Sequence, residues 1–109
     1  MLEALDYAPV YAALGDPNRL RLVNQLSQGQ ARSIAQLAQG LEISHQGVTK
    51  HLKVLEQAGV VQAHKVGRER RYVCEPEVLQ AASAQLTRIA DQWDEALANL
   101  KDFVEQPSG

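Results

Sequence analysis

The stretch SHQGVTKHLKVLEQAGVV, Ser44 to Val61, decides how this chain is built. Placed on a helical period, Val48, His51, Leu52 and Leu55 gather on one stripe, as a core-facing side requires. The opposite stripe collects His45, Gln46, Thr49, Lys50 and Lys53. It joins amide and hydroxyl hydrogen-bonders to two ammonium groups and has no carboxylate. Such side chains read base edges and hold phosphates in the major groove of double-stranded DNA. An ordinary solvated helix would mix acids into that face, and the first acid here is Glu56, near the helix end.

The flanking residues extend the pattern. Upstream, SIAQLAQGLEI carries Ile34, Leu37, Ala38 and Leu41 at helical spacing, with Ser33 as a cap and Gln36 completing a capping box. A short turn, residues 40–43, leads to Ser44, a second N-cap. Two short helices joined so tightly predict a helix-turn-helix over residues 33–58, whose second member is the reader. Glu42 stands in that turn. A left-handed residue there would cost Glu about 1 kcal/mol, so the turn is expected to run otherwise. Downstream, Gly59 is placed to end the reading helix. The runs VVQAHKV and ERRYVC then read as two strands around a Gly67-Arg68 turn, a hairpin over residues 60–74. Lys65, Arg68, Arg70 and Arg71 make that hairpin cationic. The fold class predicted is mainly α with a small β-hairpin: a winged helix-turn-helix of about five helices and a two-stranded wing.

A chain of 109 residues with 45% hydrophobic content has material for one modest core, so residues 1–109 are expected to form a single domain. No run of about 18 apolar residues predicts a membrane span. The start, MLEALDYAP, lacks the basic region of a signal peptide. The single cysteine, Cys74, fits a reducing cytoplasm. The net charge of -2 hides a segregation: residues 19–71 carry nine basic and three acidic side chains, while both flanks are acidic. Local field rather than total charge governs docking on a polyanion.

The flanks read as a pairing layer. From Pro76 to Glu105 no internal Pro or Gly interrupts a helix rich in Ala, Leu, Gln and Glu. Leu79, Leu86, Trp93 and Leu100 recur every seventh residue, as do Ala82, Ile89, Ala96 and Phe103, and Leu97 joins the same side. A helix of 30 residues spans roughly 45 Å, more than this core needs, so a second copy is expected to cover it. Residues 6–14, capped by Asp6, are expected to form a helix that joins the interface through Tyr7 and Tyr11, with Leu5 and Leu14 adding apolar surface. Gly15-Asp16-Pro17 then marks a break and a new N-cap. The following helix is expected to reach Gln28 and to bury Leu20, Val23 and Leu26. The tail QPSG is expected to be disordered.

DPNRLRLVNQL, ISHQGVTKHLKVLEQAGVV and VGRERRYVC together resemble the ArsR/SmtB family of bacterial winged-helix repressors. The resemblance covers Tyr7 to about Glu105. It implies a dimer formed through the first and last helices, and repression by operator binding that a signal relieves. It also implies DNA-reading positions at Gln46, Thr49 and Lys50 and wing contacts at Arg68, Arg70 and Arg71. The family's metal sensors carry Cys-x-Cys on the helix before the reader, or Asp and His ligands along the last helix. Here IAQLAQGL has no cysteine and the last helix no histidine, so the chain resembles the non-metal branch.

Blander roles compete for several residues. His51 borders the core stripe and is expected as a packed histidine bonded to backbone, Cys74 as a small buried residue, and Trp93 and Tyr72 as packing. Arg19 and Arg21 fit either a solvated face or phosphate contacts. The expectation is a homodimeric DNA-binding repressor with no metal, no cofactor and no catalytic site. Its DNA contacts are Ser44, His45, Gln46, Thr49, Lys50, Lys53, Lys65, Arg68, Arg70 and Arg71. Its dimer contacts are Tyr7, Tyr11, Leu79, Leu86, Ile89, Trp93, Leu97 and Leu100. A protein-interaction module and a metal- or thiol-responsive sensor are the alternatives.

Overall fold

The computed structural model describes residues 7–105. In chain order it comprises α1 (Ala8–Leu14), α2 (Pro17–Leu26), β1 (Arg32–Ser33), α3 (Ile34–Ala38), α4 (His45–Gln57), β2 (Val61–Val66), β3 (Glu69–Cys74) and α5 (Pro76–Glu105). Side-chain caps set the starts of three helices. Asp16 accepts from the amides of Asn18 and Arg19 and starts α2. Ser33 and Gln36 form the reciprocal capping box of α3, and Ser44 accepts from the Gly47 amide to start α4. Gly59, at φ 81°, turns the chain out of α4. β2 and β3 pair from Val61↔Cys74 to Val66↔Glu69, leaving a two-residue turn. Gly67 alone takes positive φ there (65°), which matches the type II′ turn that suits the strand twist.

The core is built where α2, α3, α4 and the sheet meet. Leu22, Leu26, Leu37, Val48, Leu52, Leu55 and Val60 are fully buried, and Tyr72 closes the sheet side. Truncating any of these leucines to alanine costs about 2–5 kcal/mol, which ties the orientation of α4 to the stability of the whole domain.

Several expectations are corrected. The wing belongs to a three-stranded antiparallel sheet of order β1-β3-β2, because the extended residues Arg32 and Ser33, which lead into α3, pair with Tyr72 and Arg71. Two residues are too few to show an alternating pattern. On α2, Leu22 is buried and Leu20 exposed, since docking selects the stripe Leu22, Val23 and Leu26. That helix stops at Leu26, where Ser27 bonds back to the Asn24 carbonyl and Gly29 takes positive φ. Among the described residues no non-glycine has positive φ, so Glu42 carries no left-handed strain. α1 begins from Tyr7 without a side-chain cap and holds Pro9 in its first turn. The proposed cap Asp6, Leu5 and the QPSG tail lie outside the described residues.

α5 has two parts. Its first turns are anchored: Val78, Leu79 and Ala82 pack on the core, and Tyr11 of α1 donates its hydroxyl toward the Ala82 carbonyl (2.9 Å) and Gln85 Oε1 (2.6 Å). From Leu86 to Glu105 every residue is exposed. The helix therefore projects and stretches the molecule to 76 × 33 × 22 Å. No helix of the described residues is long and apolar enough to cross a membrane.

Candidate nucleic-acid interface

With Val48, Leu52 and Leu55 buried, the opposite side of α4 must face outward. His45, Gln46, Thr49, Lys50 and Lys53 are all exposed, and Ser44 stands exposed at the helix start. The sequence-derived set is thus brought together on one helix face. Thr49 is modified by its own backbone: its hydroxyl donates to the His45 carbonyl at 2.8 Å. That proton is committed, so Thr49 offers a ligand its methyl group and an acceptor lone pair. His45, Gln46, Thr49 and Lys50 border an open depression of about 670 Å³ whose remaining wall is Ile34. Sequence reasoning assigned Ile34 to the core stripe of α3. As the first residue of that helix it is only half-buried, and its position next to the cap was the available signal.

The hairpin divides its cations by strand alternation. Lys65 and Arg70 are directly opposed across the ladder, on the side that continues Ala63 and Tyr72. Like charges so placed repel unless an anion lies between or beside them. Arg71, on the other side, is opposite His64 and holds the Glu69 carboxylate through Nε (3.2 Å) and Nη2 (3.1 Å). Among the described residues this is the only ion pair. Arg68 occupies the turn and is exposed. Of the wing cations the sequence singled out, Lys65, Arg68 and Arg70 are therefore unneutralised, whereas Arg71 is matched by an acid.

Arg19 takes a structural role. Its Nε donates to the Ala13 carbonyl at 2.7 Å and so closes the C-terminal end of α1. Its Nη1 lies 3.4 Å from Nδ1 of His51. Since arginine only donates, that nitrogen of His51 is the acceptor. The expected backbone bond of His51 is thus replaced by a guanidinium contact that links α2 to α4. Beside it, the backbone amides of Arg19 and Asn18 hold the Asp16 carboxyl below the ordinary carboxylate range, aided by the Arg19 guanidinium. Cys74 is half-buried. Burial, reinforced by Glu75, pushes its thiol up, which makes it a sluggish nucleophile.

The residues expected to pair two copies fall into two groups. Tyr7, Tyr11 and Leu79 are partly buried against the chain's own core. Leu86, Ile89, Trp93, Leu97 and Leu100 are 43–64% exposed along the projecting part of α5, and Phe103 continues them at 72%. With roughly 100 Å² left on each large side chain, these six offer about 600 Å² of apolar surface. That approaches the ~800 Å² per partner of a standard protein interface.

Comparison with known proteins gives a consistent result. A family model described as a helix-turn-helix domain matches residues 14–62. An HTH-type transcriptional regulator of Mycobacterium tuberculosis is 32% identical over 95 residues, 87% of this chain and 85% of its own length. An ArsR-like transcriptional regulator of Rhodococcus superposes with a TM-score of 0.83 at 36% identity, covering 94% of this chain and 96% of the other. A homodimeric winged helix-turn-helix DNA-binding domain of Mycobacterium bovis superposes at 0.64 with 25% identity, over 84% of this chain and 83% of that one.

Proposed function

The chain belongs to the ArsR/SmtB family of winged-helix transcriptional regulators, and from that premise we propose that it is a homodimeric repressor of a palindromic operator. Gln46 and Thr49 read base edges, with His45 beside them, while Lys50 and Lys53 hold phosphates. Lys65, Arg68 and Arg70 of the wing reach the flanking backbone or minor groove. Arg71 adds little net attraction because Glu69 stays beside it. The observation that carries this reading is the exposed face of α4, free of carboxylates from His45 to Lys53, together with wing cations that have no acid partner among the described residues.

Dimerisation is carried by the uncovered apolar stripe of α5, in keeping with the homodimeric relative. Two copies related by a two-fold axis present two reading helices, so half-sites about one helical turn, roughly 34 Å, apart are expected. The role is binding rather than catalysis. The trigger is read as something other than a metal, because α3 carries no cysteine and α5 no histidine. Metal bound stoichiometrically to the purified protein would overturn that part. Selection of duplexes from a random pool tests the main reading. Enrichment of an inverted repeat supports it, and absence of any enriched sequence contradicts it.

A further inference from the structure

We infer that the reading face contains a pocket for the C5-methyl group of thymine, and that Ile34, contributed from outside α4, is a specificity-determining residue. The inference rests on the DNA-reading assignment above and deepens it. Ile34 follows directly on the capping-box serine of α3. The buried Ser33 that precedes it accepts from the Gln36 amide (3.2 Å), and its own amide donates to Gln36 Oε1 (2.9 Å). Part of the Ile34 side chain packs on the core, and the rest walls the depression beside His45, Gln46, Thr49 and Lys50.

Thr49 faces the same space with its hydroxyl proton turned back onto the His45 carbonyl. Ile34 and Thr49 therefore line one depression together with the His45 imidazole, the Gln46 amide and the Lys50 ammonium. Neither phosphate oxygen nor the polar edge of a base gains from contact with Ile34, which can make no hydrogen bond. In the major groove one base carries an apolar group, and that is the methyl of thymine. Gln46, in the same lining, has the two-point donor and acceptor pattern that matches N6 and N7 of adenine. Each half-site should hold a thymine within a base step of the adenine that Gln46 reads, with its methyl seated between Ile34 and Thr49.

The test uses duplexes selected from a random pool, resynthesised with deoxyuridine in place of single thymines. This change removes the methyl and nothing else. At one thymine in each half-site the wild-type protein should lose affinity about fourfold per methyl, the scale set by burying one such group. Replacing both should cost on the order of fifteenfold. Ile34→Ala, and separately Thr49→Ser, which keeps the hydroxyl, should shrink that discrimination between thymine and uracil. Because the uracil scan is run on the unaltered protein, a folding defect in Ile34→Ala leaves the test intact. Selective binding with no uracil-sensitive position, or with sensitivity that Thr49→Ser and Ile34→Ala leave unchanged, overturns the pocket but not the operator reading. Failure to select any sequence overturns both.

Discussion

The arrangement of charge on the wing makes a quantitative prediction about salt. Each protomer carries Lys50, Lys53, Lys65, Arg68 and Arg70 without an acid partner among the described residues, so a dimer brings ten such cations to the duplex. Each phosphate neutralised contributes about -0.9 to the slope of log affinity against log salt. If all ten engage, the slope approaches -9. Lys65→Gln with Arg70→Gln removes four contacts per dimer and should flatten the slope by between about three and four. Between 50 and 200 mM salt this variant should lose roughly 150-fold less affinity than wild type. Arg71 behaves differently. Its ion pair is half-exposed and weak, but Glu69 remains beside it whether or not the pair opens. Neutralising Arg71 and Glu69 together should leave the slope unchanged, whereas Glu69→Gln alone should steepen it by up to about two. Fluorescence anisotropy on a labelled duplex at four or five salt concentrations measures all of these. If the Arg71/Glu69 double variant flattened the slope as much as the Lys65/Arg70 double variant, the division of the wing into matched and unmatched cations would be wrong.

Other consequences concern assembly and stability. Trp93→Glu places a charge in the middle of the exposed stripe of α5 and should yield a monomer by sedimentation. Its first turns and core stay folded, and operator affinity falls at least 100-fold as the two half-sites bind independently. Tyr11→Phe strips the hydroxyl from the Ala82 carbonyl and leaves the buried Gln85 amide without its partner. A loss of about 1–2 kcal/mol is expected in chemical denaturation, and an unchanged midpoint would show that the α1–α5 bond contributes nothing. Asp16 titrates below its unfolded value, so its cap contributes fully above that value and is lost as pH falls through the folded one. The melting temperature should drop on acidification below about pH 4, and Asp16→Asn, which keeps an N-cap oxygen, should blunt that drop.

Features governed by near neighbours in sequence were legible there. The Ser33 capping box, the Ser44 cap, the Gly59 exit and the Gly67-Arg68 turn each depend on a few consecutive residues, and each formed as read. The two faces of α4 followed from its period because Val48, Leu52 and Leu55 fall on one side of it. What escaped depends on contacts between distant segments. Whether Leu20 or Leu22 points inward is settled by how α2 docks, since both belong to apolar stripes of similar width. The β1 strand exists only because β3 offers it an edge, and the Arg19 contacts join residues that no local pattern relates. The Arg71–Glu69 pair was within reach, because residues two apart on a strand share a side. Ile34 was missed for a different reason. Periodicity assigns a residue to a stripe but does not tell how much of it the next element leaves uncovered.

The central claim is that the outer face of α4 discriminates between base pairs while the surrounding cations hold any duplex. Wild-type protein, Gln46→Ala and Lys53→Ala titrated against a selected operator and a scrambled duplex separate these roles. Gln46→Ala should weaken operator binding by about 1–3 kcal/mol per half-site while barely changing the scrambled duplex. Lys53→Ala should weaken both alike. Equal losses on the two duplexes for Gln46→Ala would contradict the account.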